Sequence, residues 1–85
     1  MLHVIAARYE SDYRLRVAFS DGLEGIADLA SCLWGPVFED LRDPVRFAAF
    51  KLNPEFGVIE WDNGADLAPE ALEELARAAG TLRPS

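Results

Sequence analysis

The sequence predicts a single α+β domain, residues 1-85, in which an antiparallel sheet of about five strands packs against a C-terminal helix. Three observations predict this class. Apolar and polar side chains alternate over residues 13–20, and this segment ends at a hairpin turn signal. A second pair of apolar segments flanks a turn at residues 53–57. The residues after Pro69 have the apolar spacing of a helix. We therefore expect two or three hairpin-linked strands, short helices, a second hairpin and the final helix.

The first part of the chain predicts a hairpin. Residues 2–9 are mostly apolar and predict the first strand, and residues 10–12 form a polar break after it. The next segment has the period of two that buries one face of a strand. Its apolar positions are Tyr13, Leu15, Val17 and Phe19. Asp21-Gly22 follows and favours a type I′ turn, in which both residues have positive φ.

This turn also predicts the strand register. A two-residue loop at Asp21-Gly22 places Val17 opposite Ile26, and residues directly opposite each other share one face of a sheet. The predicted buried face contains Leu15, Val17, Phe19 and Ile26. The predicted opposite face contains Arg14, Arg16, Ala18, Gly25 and Ala27. Because the second face has little bulk, we expect it to be solvated or to form a shallow binding surface.

Capping residues predict short helices in the middle of the chain. Asp28 caps a short helix that Gly35-Pro36 ends, and residues 37–42 form another helical turn. Asp43 followed by Pro44 predicts a third start, because proline at the first helical position loses no hydrogen bond.

The last part of the chain predicts the second hairpin and the final helix. Residues 50–52 and 58–61 are its strands, and Asn63-Gly64 closes the second of them. Pro69 begins the helix and Gly80 fits the position just past its end. The predicted apolar stripe of this helix is Ala71, Leu72, Leu75 and Ala79. Its predicted exposed face is Glu70, Glu73, Glu74 and Arg77. Residues 81–85 are predicted to be a tail.

The charge composition bears on the partners of the protein. The net charge is −7, and one lysine and seven arginines are scattered along the chain. Between Lys51 and Arg77 there are seven acidic residues and no basic one. We therefore expect no direct nucleic-acid binding, because such binding depends on a basic face, and we favour a basic partner or simple solubility.

Other features predict that the chain has no membrane-spanning helix and indicate its cellular compartment. No segment approaches the roughly 18 consecutive apolar residues of a spanning helix, so we expect no membrane insertion. Cys32 is the single cysteine and has no disulfide partner within the chain. We expect a cytoplasmic protein.

No arrangement of residues typical of an active site is visible. His3, the single histidine, lacks a nucleophile and an orienting acid nearby in sequence, and Cys32 lacks an electropositive setting. We expect His3 to be incidental and Cys32 to be a small core residue. The sequence therefore predicts no enzymatic activity and no cofactor.

A few residues are candidates for binding. They are Trp34, Trp61, Asp62, Asn63, Asp66 and Glu70. Trp34 lies before Gly35-Pro36 and is the better interface candidate, whereas Trp61 on a strand is more often a core residue. Asp66 has two interpretations: it stabilises the start of the last helix, or it joins Asp62 and Glu70 in a weak cation site. We favour the structural role.

Several motifs resemble a known family. They are Y-R-L-R-V-A-F-S-D-G, the Asp28-Leu29 pair, G-P-V-F-E-D-L-R-D-P from Gly35, and W-D-N-G-A-D-L-A-P-E from Trp61. From about Val4 to Leu72 the chain resembles the domain of unknown function 2442, a family of small bacterial proteins. The resemblance implies a small α+β domain with an antiparallel sheet. It implies no established activity or catalytic residue.

The resemblance also bears on partners. Some family members resemble fusions to a helix-turn-helix domain, and others are similar to one half of a toxin–antitoxin-like pair. Our first hypothesis is a non-catalytic protein-binding module, antitoxin-like, that binds a basic neighbouring protein. The alternatives are a small-ligand or metal-binding domain and an accessory domain of a transcriptional regulator. We also expect a homodimer, with the monomer as the alternative, because Arg14 and Arg16 face one way and the chain has an acidic stretch.

Overall fold

The computed structural model describes all residues from Met1 to Ser85 and confirms the α+β class. Seven strands form two antiparallel sheets, whereas the sequence predicted about five strands in one sheet. The strands are β1 (Val4–Ser11), β2 (Arg14–Phe19), β3 (Leu23–Asp28), β4 (Lys51–Asn53), β5 (Val58–Glu60), β6 (Asp66–Leu67) and β7 (Arg83–Pro84). The large sheet has the order β1-β2-β3-β7, and the small sheet has the order β4-β5-β6.

Two α-helices and two 3₁₀ turns complete the chain. Helix α1 spans Pro44–Ala48 and helix α2 spans Pro69–Ala78, while the 3₁₀ turns span Ala30–Cys32 and Glu39–Arg42. Helix α2 packs mainly on β3. No helix has the length and apolar content that crossing a bilayer requires.

The first hairpin joins β1 to β2 through a tight turn that the sequence analysis missed. Strand β1 extends to Ser11, which lies opposite Arg14. The two residues between them, Asp12 and Tyr13, have φ angles of 48° and 65°. Positive φ at both loop residues is the requirement of a type I′ hairpin. The polar segment 10–12 is therefore the end of a strand and half of a turn.

The predicted turn between β2 and β3 is wrong. Gly22 has a φ of 88°, but Asp21 does not have positive φ. The Gly22 N–H donates to the Phe19 carbonyl over 3.1 Å, which gives a three-residue loop at 20–22. Such loops combine a type I turn with a left-handed residue, for which glycine is suited.

The predicted register is wrong by one residue as a consequence. Val17 lies opposite Gly25, and Ile26 lies opposite Arg16. A shift of one residue moves every side chain of a strand to the other face. Gly25 and Ala27 are therefore buried beside the core, and Ile26 lies on the open face with Arg16.

Packing against α2 explains this register. A Cβ atom built on Gly25 would lie 2.9 Å from Ala76 Cβ and 3.2 Å from Leu82 Cα. Only a residue without a side chain fits at this crossing of helix and strand. An isoleucine in its place would not fit, so this contact favours Gly25 on the buried face.

The predicted cap of α1 is confirmed, whereas the predicted cap at Asp28 is wrong. Asp43 accepts a hydrogen bond from the Val45 N–H over 2.9 Å, and Pro44 is the first residue of α1. Asp28 accepts from the Ala30 N–H over 3.0 Å, but the residue before the first 3₁₀ turn is Leu29, which has no capping side-chain bond. Side chains that satisfy free N–H groups fix the starts of these short elements.

The second hairpin is confirmed, and a third strand that the sequence did not predict pairs with it. Strands β4 and β5 pair with Leu52 opposite Ile59. The chain then turns at Asn63-Gly64, and β6 pairs with β5 so that Ile59 also lies opposite Leu67. The turn therefore leads into a third strand instead of closing the sheet.

Helix α2 begins and ends as predicted. Pro69 is its first residue, and Gly80 has a φ of 73°. The Gly80 N–H donates to the Arg77 carbonyl and the Thr81 N–H to the Ala76 carbonyl, each over 3.0 Å. This pattern is the Schellman motif, which satisfies the last carbonyls of a helix.

The buried face of α2 differs in part from the prediction. Leu72 is fully buried as expected, and Ala76 is buried with it. Ala71 and Ala79 are exposed, so they are not part of the apolar stripe. Glu73 was predicted to face solvent, but its side chain is only 13% exposed.

The C-terminal residues form a strand and not a tail. Strand β7 pairs with β3, with Arg83 opposite Glu24. The Thr81 hydroxyl donates to the Ile26 carbonyl over 2.8 Å, and the Ser85 N–H donates to the Gly22 carbonyl over 2.9 Å. These bonds explain why the chain continues along β3 after the helix ends.

The core lies between the large sheet, the small sheet and the helices. It contains no buried polar residue. Its largest fully buried side chains are Phe19, Phe47, Leu15, Leu29, Leu41, Ile59, Leu72 and Val17.

Candidate functional site

A cleft of about 260 Å³ lies beside helix α1 and the end of strand β5. Its lining residues are Leu41, Arg46, Ala49, Trp61, Asp62 and Asn63. The structure thus places three of the predicted binding residues, Trp61, Asp62 and Asn63, in one depression. We call this depression the Trp61 cleft.

Trp61 lines the cleft and belongs to the core. It is 6% exposed, and its indole N–H donates to the Phe47 carbonyl over 2.9 Å. Its ring contacts those of Phe38, Phe47 and Phe50 at centroid distances of 6.5, 5.8 and 6.4 Å. The expectation that Trp61 is a core residue is confirmed, and its polar atom already has a partner.

Asn63 holds two loops together. Its side-chain oxygen accepts from the Ala65 N–H over 3.0 Å, and its amide nitrogen donates to the Val37 carbonyl over 2.8 Å. Asn63 precedes Gly64, whose φ of 93° suits glycine at this turn. The Asn63 side chain therefore positions the segment around Val37, and both its polar ends are occupied.

The charged groups of the Trp61 cleft are exposed and paired. Arg46 lies 4.0 Å from Asp40 and 3.9 Å from Asp43, and Lys51 lies 3.2 Å from Asp62. Exposed pairs of this kind contribute about 0–1 kcal/mol each. The lining includes no serine, cysteine or histidine. With these polar groups already paired, the cleft offers a small molecule mainly the apolar surfaces of Leu41, Ala49 and Trp61, and no group suited to nucleophilic chemistry.

A second surface adjoins the cleft through Asn63. We call it the Trp34 patch, and it consists of Ser31, Cys32, Trp34, Gly35, Pro36, Val37 and Phe38, which line an open apolar depression. Trp34 is 70% exposed, as expected for an interface residue. Cys32 is half-buried at this surface, so the expectation that it is a core residue is wrong.

Backbone hydrogen bonds fix the Trp34 patch. The Trp34 N–H donates to the Cys32 carbonyl over 2.9 Å, and the Glu39 N–H donates to the Gly35 carbonyl over 3.0 Å. The Arg42 side chain donates to the Leu33 carbonyl over 2.7 Å. These bonds fix the backbone of the loop that carries the exposed indole. Binding of a partner would therefore cost little conformational entropy of this loop.

Asp66 and Glu70 lie apart from both surfaces. Asp66 is exposed on β6 opposite Glu60, and Glu70 is exposed in the first turn of α2. The residue before the helix is Ala68, and no side chain caps the helix start, so the capping role of Asp66 is wrong. No three histidine, cysteine or acidic side chains are grouped so that they could hold a metal ion. Asp62, Asp66 and Glu70 therefore do not form the alternative cation site.

His3 has a structural setting. It is half-buried, and its backbone N–H donates to the Ser20 hydroxyl over 2.9 Å. Its side chain lies so close to Gly57 that a Cβ atom there would be 2.5 Å from His3 Cβ. The position agrees with the incidental role expected for this histidine.

Several residues of these surfaces are not among those that the sequence predicted. Arg46, Leu41 and Ala49 belong to the cleft, and Val37 belongs to the patch. They come from segments separated along the chain from Trp61, so no local motif joins them. The only signal was the helix start at Asp43-Pro44, which places Arg46 on an exposed helical turn.

Comparison with known proteins gives one match. A family model described as "Protein of unknown function (DUF2442)" matches residues 4–78. Neither the curated proteins nor the solved structures gave a match to the chain.

Proposed function

Because the chain belongs to the domain of unknown function 2442 family over residues 4–78, we propose its function from its own surfaces. The proposed function is that of a non-catalytic protein-binding module whose docking surface is the Trp34 patch. The proposed partner is a basic protein. In its most specific form, the module is the antitoxin-like partner of a basic protein encoded beside it.

The exposure of Trp34 on a fixed loop is the observation that supports this proposal. A tryptophan buries about 150–250 Å² when it is covered, so leaving it in water forgoes a large hydrophobic gain. Its neighbour Val37 is also exposed. Tryptophan is enriched among the residues that dominate binding energy at protein interfaces.

The charges around the patch support a basic partner. Glu39 and Asp40 follow Val37 and Phe38 directly, and Asp62 lies beside Asn63, which bonds to the Val37 carbonyl. Glu39 has no basic partner, whereas Asp40 pairs with Arg46 and Asp62 pairs with Lys51. An apolar centre beside the unpaired Glu39 is complementary to a partner with a basic residue next to an apolar pocket.

The test is binding to the product of the adjacent gene. We expect association by isothermal titration calorimetry, weakened by salt because exposed charges are screened over about 10 Å at 0.1 M. Trp34→Ala should weaken the affinity by about 30-fold or more, the loss of a hot-spot residue of about 2 kcal/mol. Phe56→Ala is the matched control, since Phe56 is an exposed aromatic residue on another loop.

Two outcomes would contradict the proposal. Equal effects of Trp34→Ala and Phe56→Ala would remove the Trp34 patch as the docking surface. Absence of binding at low salt would remove the antitoxin-like form. Because both side chains are largely exposed, neither substitution should lower the melting temperature, which excludes unfolding as the cause of lost binding.

A second candidate function is binding of a small molecule in the Trp61 cleft. The supporting observation is the depression lined by Leu41, Ala49 and Trp61. Thermal shift with a set of metabolites tests it. Absence of any shift would remove this ligand hypothesis. The accessory role in a transcriptional regulator rests on the family resemblance, and a gel shift tests direct DNA binding.

The remaining proposals concern location and assembly. We propose a cytoplasmic location because Cys32 has no disulfide partner in the chain. The homodimer stays a prediction, with the arginine-containing face of the large sheet against the acidic stretch of a second copy. Sedimentation equilibrium at low and high salt tests it, and a single 9.4 kDa species at every salt concentration would contradict it.

A further inference from the structure

One face of the large sheet is not covered by the core or by α2. The corrected register and the pairing of β7 place four of the seven arginines there: Arg8, Arg14, Arg16 and Arg83. We call this surface the arginine face. Glu10, Glu24 and Asp28 are the acidic residues on it. With four arginines and three carboxylates, this face is slightly basic in a chain whose net charge is −7.

Two of these arginines lie directly opposite each other. Arg8 on β1 and Arg16 on β2 are partners in the strand register. Like charges in directly opposite positions destabilise a sheet. Glu10 lies 3.6 Å from Arg16 Nε, which is buried and has no hydrogen-bond partner, and no carboxylate pairs with Arg8. Glu10 therefore offsets only part of the repulsion between Arg8 and Arg16.

Arg83 is also without an ion pair. It lies opposite Glu24 on the neighbouring strand, yet no carboxylate oxygen is within 4.0 Å of its guanidinium. Arg14, in contrast, is paired with Asp12 and Asp28 at 3.7 and 3.4 Å. The arginines of this face without an ion pair are thus Arg8 at one edge of the sheet and Arg83 at the other, whereas Arg16 between them pairs with Glu10.

The shape of the face matches an extended chain. Ala6 and Ala18 lie opposite each other, and their short side chains leave a shallow depression of about 410 Å³ beside Arg8 and Arg16. A second depression of about 330 Å³ lies between Arg16 and Arg83. Both are open troughs across the strands, unlike the enclosed pockets that cover most of a small molecule.

We propose that the arginine face binds an acidic segment of a separate protein, whose carboxylates pair with Arg8, Arg16 and Arg83. Arginine is suited to this task because its planar fork binds a carboxylate through two hydrogen bonds. The carboxylates on the same face leave few arginines unopposed, which disfavours nucleic acid because its binding needs many basic contacts. A second copy is less suited, because three carboxylates of its acidic stretch, Asp62, Glu73 and Glu74, already pair with Lys51 and Arg77.

The probe for this face is a fluorescein-labelled peptide of alternating glutamate and serine, measured by fluorescence anisotropy at low ionic strength. In an extended peptide, alternate side chains point the same way, so all its carboxylates can face the sheet. Arg8→Ala and Arg83→Ala should each weaken binding about threefold to fivefold, as expected for one solvent-exposed ion pair. Arg77→Ala, which removes an exposed arginine of α2 outside this face, is the matched control and should leave the affinity unchanged.

Changes in the amide chemical shifts of isotope-labelled protein on addition of the peptide locate the bound peptide. We expect changes at Ala6, Arg8, Ala18 and Arg83 and none at Trp34. This pattern would distinguish binding at the arginine face from binding at the Trp34 patch. Because Arg8 and Arg83 make no ion pair, their alanine variants should keep the melting temperature of the parent protein. A loss of peptide affinity without a change in melting temperature would then show that the peptide binds at the arginine face.

Several outcomes would overturn the proposal. These are the absence of binding, an equal loss of affinity in Arg77→Ala, and chemical-shift changes confined to another surface. Tighter binding of a single-stranded oligonucleotide than of the peptide would identify nucleic acid as the occupant. Shifts at the arginine face that grow with protein concentration alone would identify a second copy.

Discussion

Gly25 of strand β3 lies directly against Ala76 of helix α2, so close that a Cβ atom on Gly25 would be 2.9 Å from Ala76 Cβ. The contact joins two residues that are far apart in sequence. It sets the distance between the helix and the large sheet, and it requires the smallest residue on the strand. This distance cannot be read from either segment alone.

Gly25→Ala should therefore destabilise the protein by about 1–3 kcal/mol, the usual range for overpacking of a core. Urea unfolding measures the loss. Ala76→Gly in the same chain should recover part of it, because removing the Ala76 methyl group relieves the contact. The glycine itself costs about 1 kcal/mol in a helix, so the double-mutant cycle gives the coupling between the two sites. Purely additive effects would contradict the contact.

Leu72→Ala tests whether α2 is an integral part of the fold. Leu72 is fully buried in the core, so we expect a loss of about 2–5 kcal/mol from the lost burial and the cavity left behind. Val45→Ala is the control, because Val45 is 78% exposed on α1 and should change stability by less than about 0.5 kcal/mol. A loss below about 1 kcal/mol at Leu72 would mean that the helix is peripheral.

Gly22→Val tests the loop between β2 and β3. Gly22 has a φ of 88° and open space around it, so the cost of valine is backbone strain and not a clash. We expect about 1–3 kcal/mol of destabilisation, where each kcal/mol lowers the melting temperature by about 4–8 °C in a domain of this size. Gly22→Asn should be milder, since asparagine tolerates positive φ. Equal melting temperatures for the parent protein and Gly22→Val would refute the assignment of a positive φ to Gly22.

Glu73 gives the protein a specific pH dependence. Burial, and then the neighbouring carboxyl group of Asp21, raise the pKa of Glu73 above its ordinary value of 4.5, while Arg77 opposes the shift. A carboxyl group with a raised pKa binds protons more readily in the folded protein than in the unfolded chain. Its contribution is therefore fully present below about pH 4.5 and is lost as the pH rises through the raised pKa.

Glu73→Gln should remove this loss of stability with rising pH, because glutamine has the shape of glutamate and carries no charge. We expect urea midpoints that fall with rising pH above about 4.5 in the parent and less so in Glu73→Gln, which becomes the more stable of the two at neutral pH. Glu74→Gln is the control, since Glu74 is exposed and pairs with Arg77 at 2.8 Å. The same fall with pH in Glu73→Gln would show that another group causes it.

The sequence by itself determined the elements whose signals are local. Asp43-Pro44 begins α1, Pro69 and Gly80 bound α2, and the turn at 53–57 joins β4 to β5, as the structure confirms. These features rest on caps, fixed backbone angles and glycine at positive φ, all of which act within a few residues. The same locality explains why Trp34 could be placed on the surface and Trp61 in the core.

Only the tertiary structure decided the register, the fourth strand of the large sheet and the composition of the surfaces. Asp21-Gly22 is compatible with a two-residue or a three-residue loop, and the close contact of Gly25 with Ala76 is consistent only with the second. The C-terminal residues have no strand pattern of their own and become β7 because β3 offers unpaired hydrogen-bonding groups. The Trp61 cleft and the arginine face likewise join residues from distant segments, and such contacts depend on packing and strand pairing that no local stretch of sequence encodes.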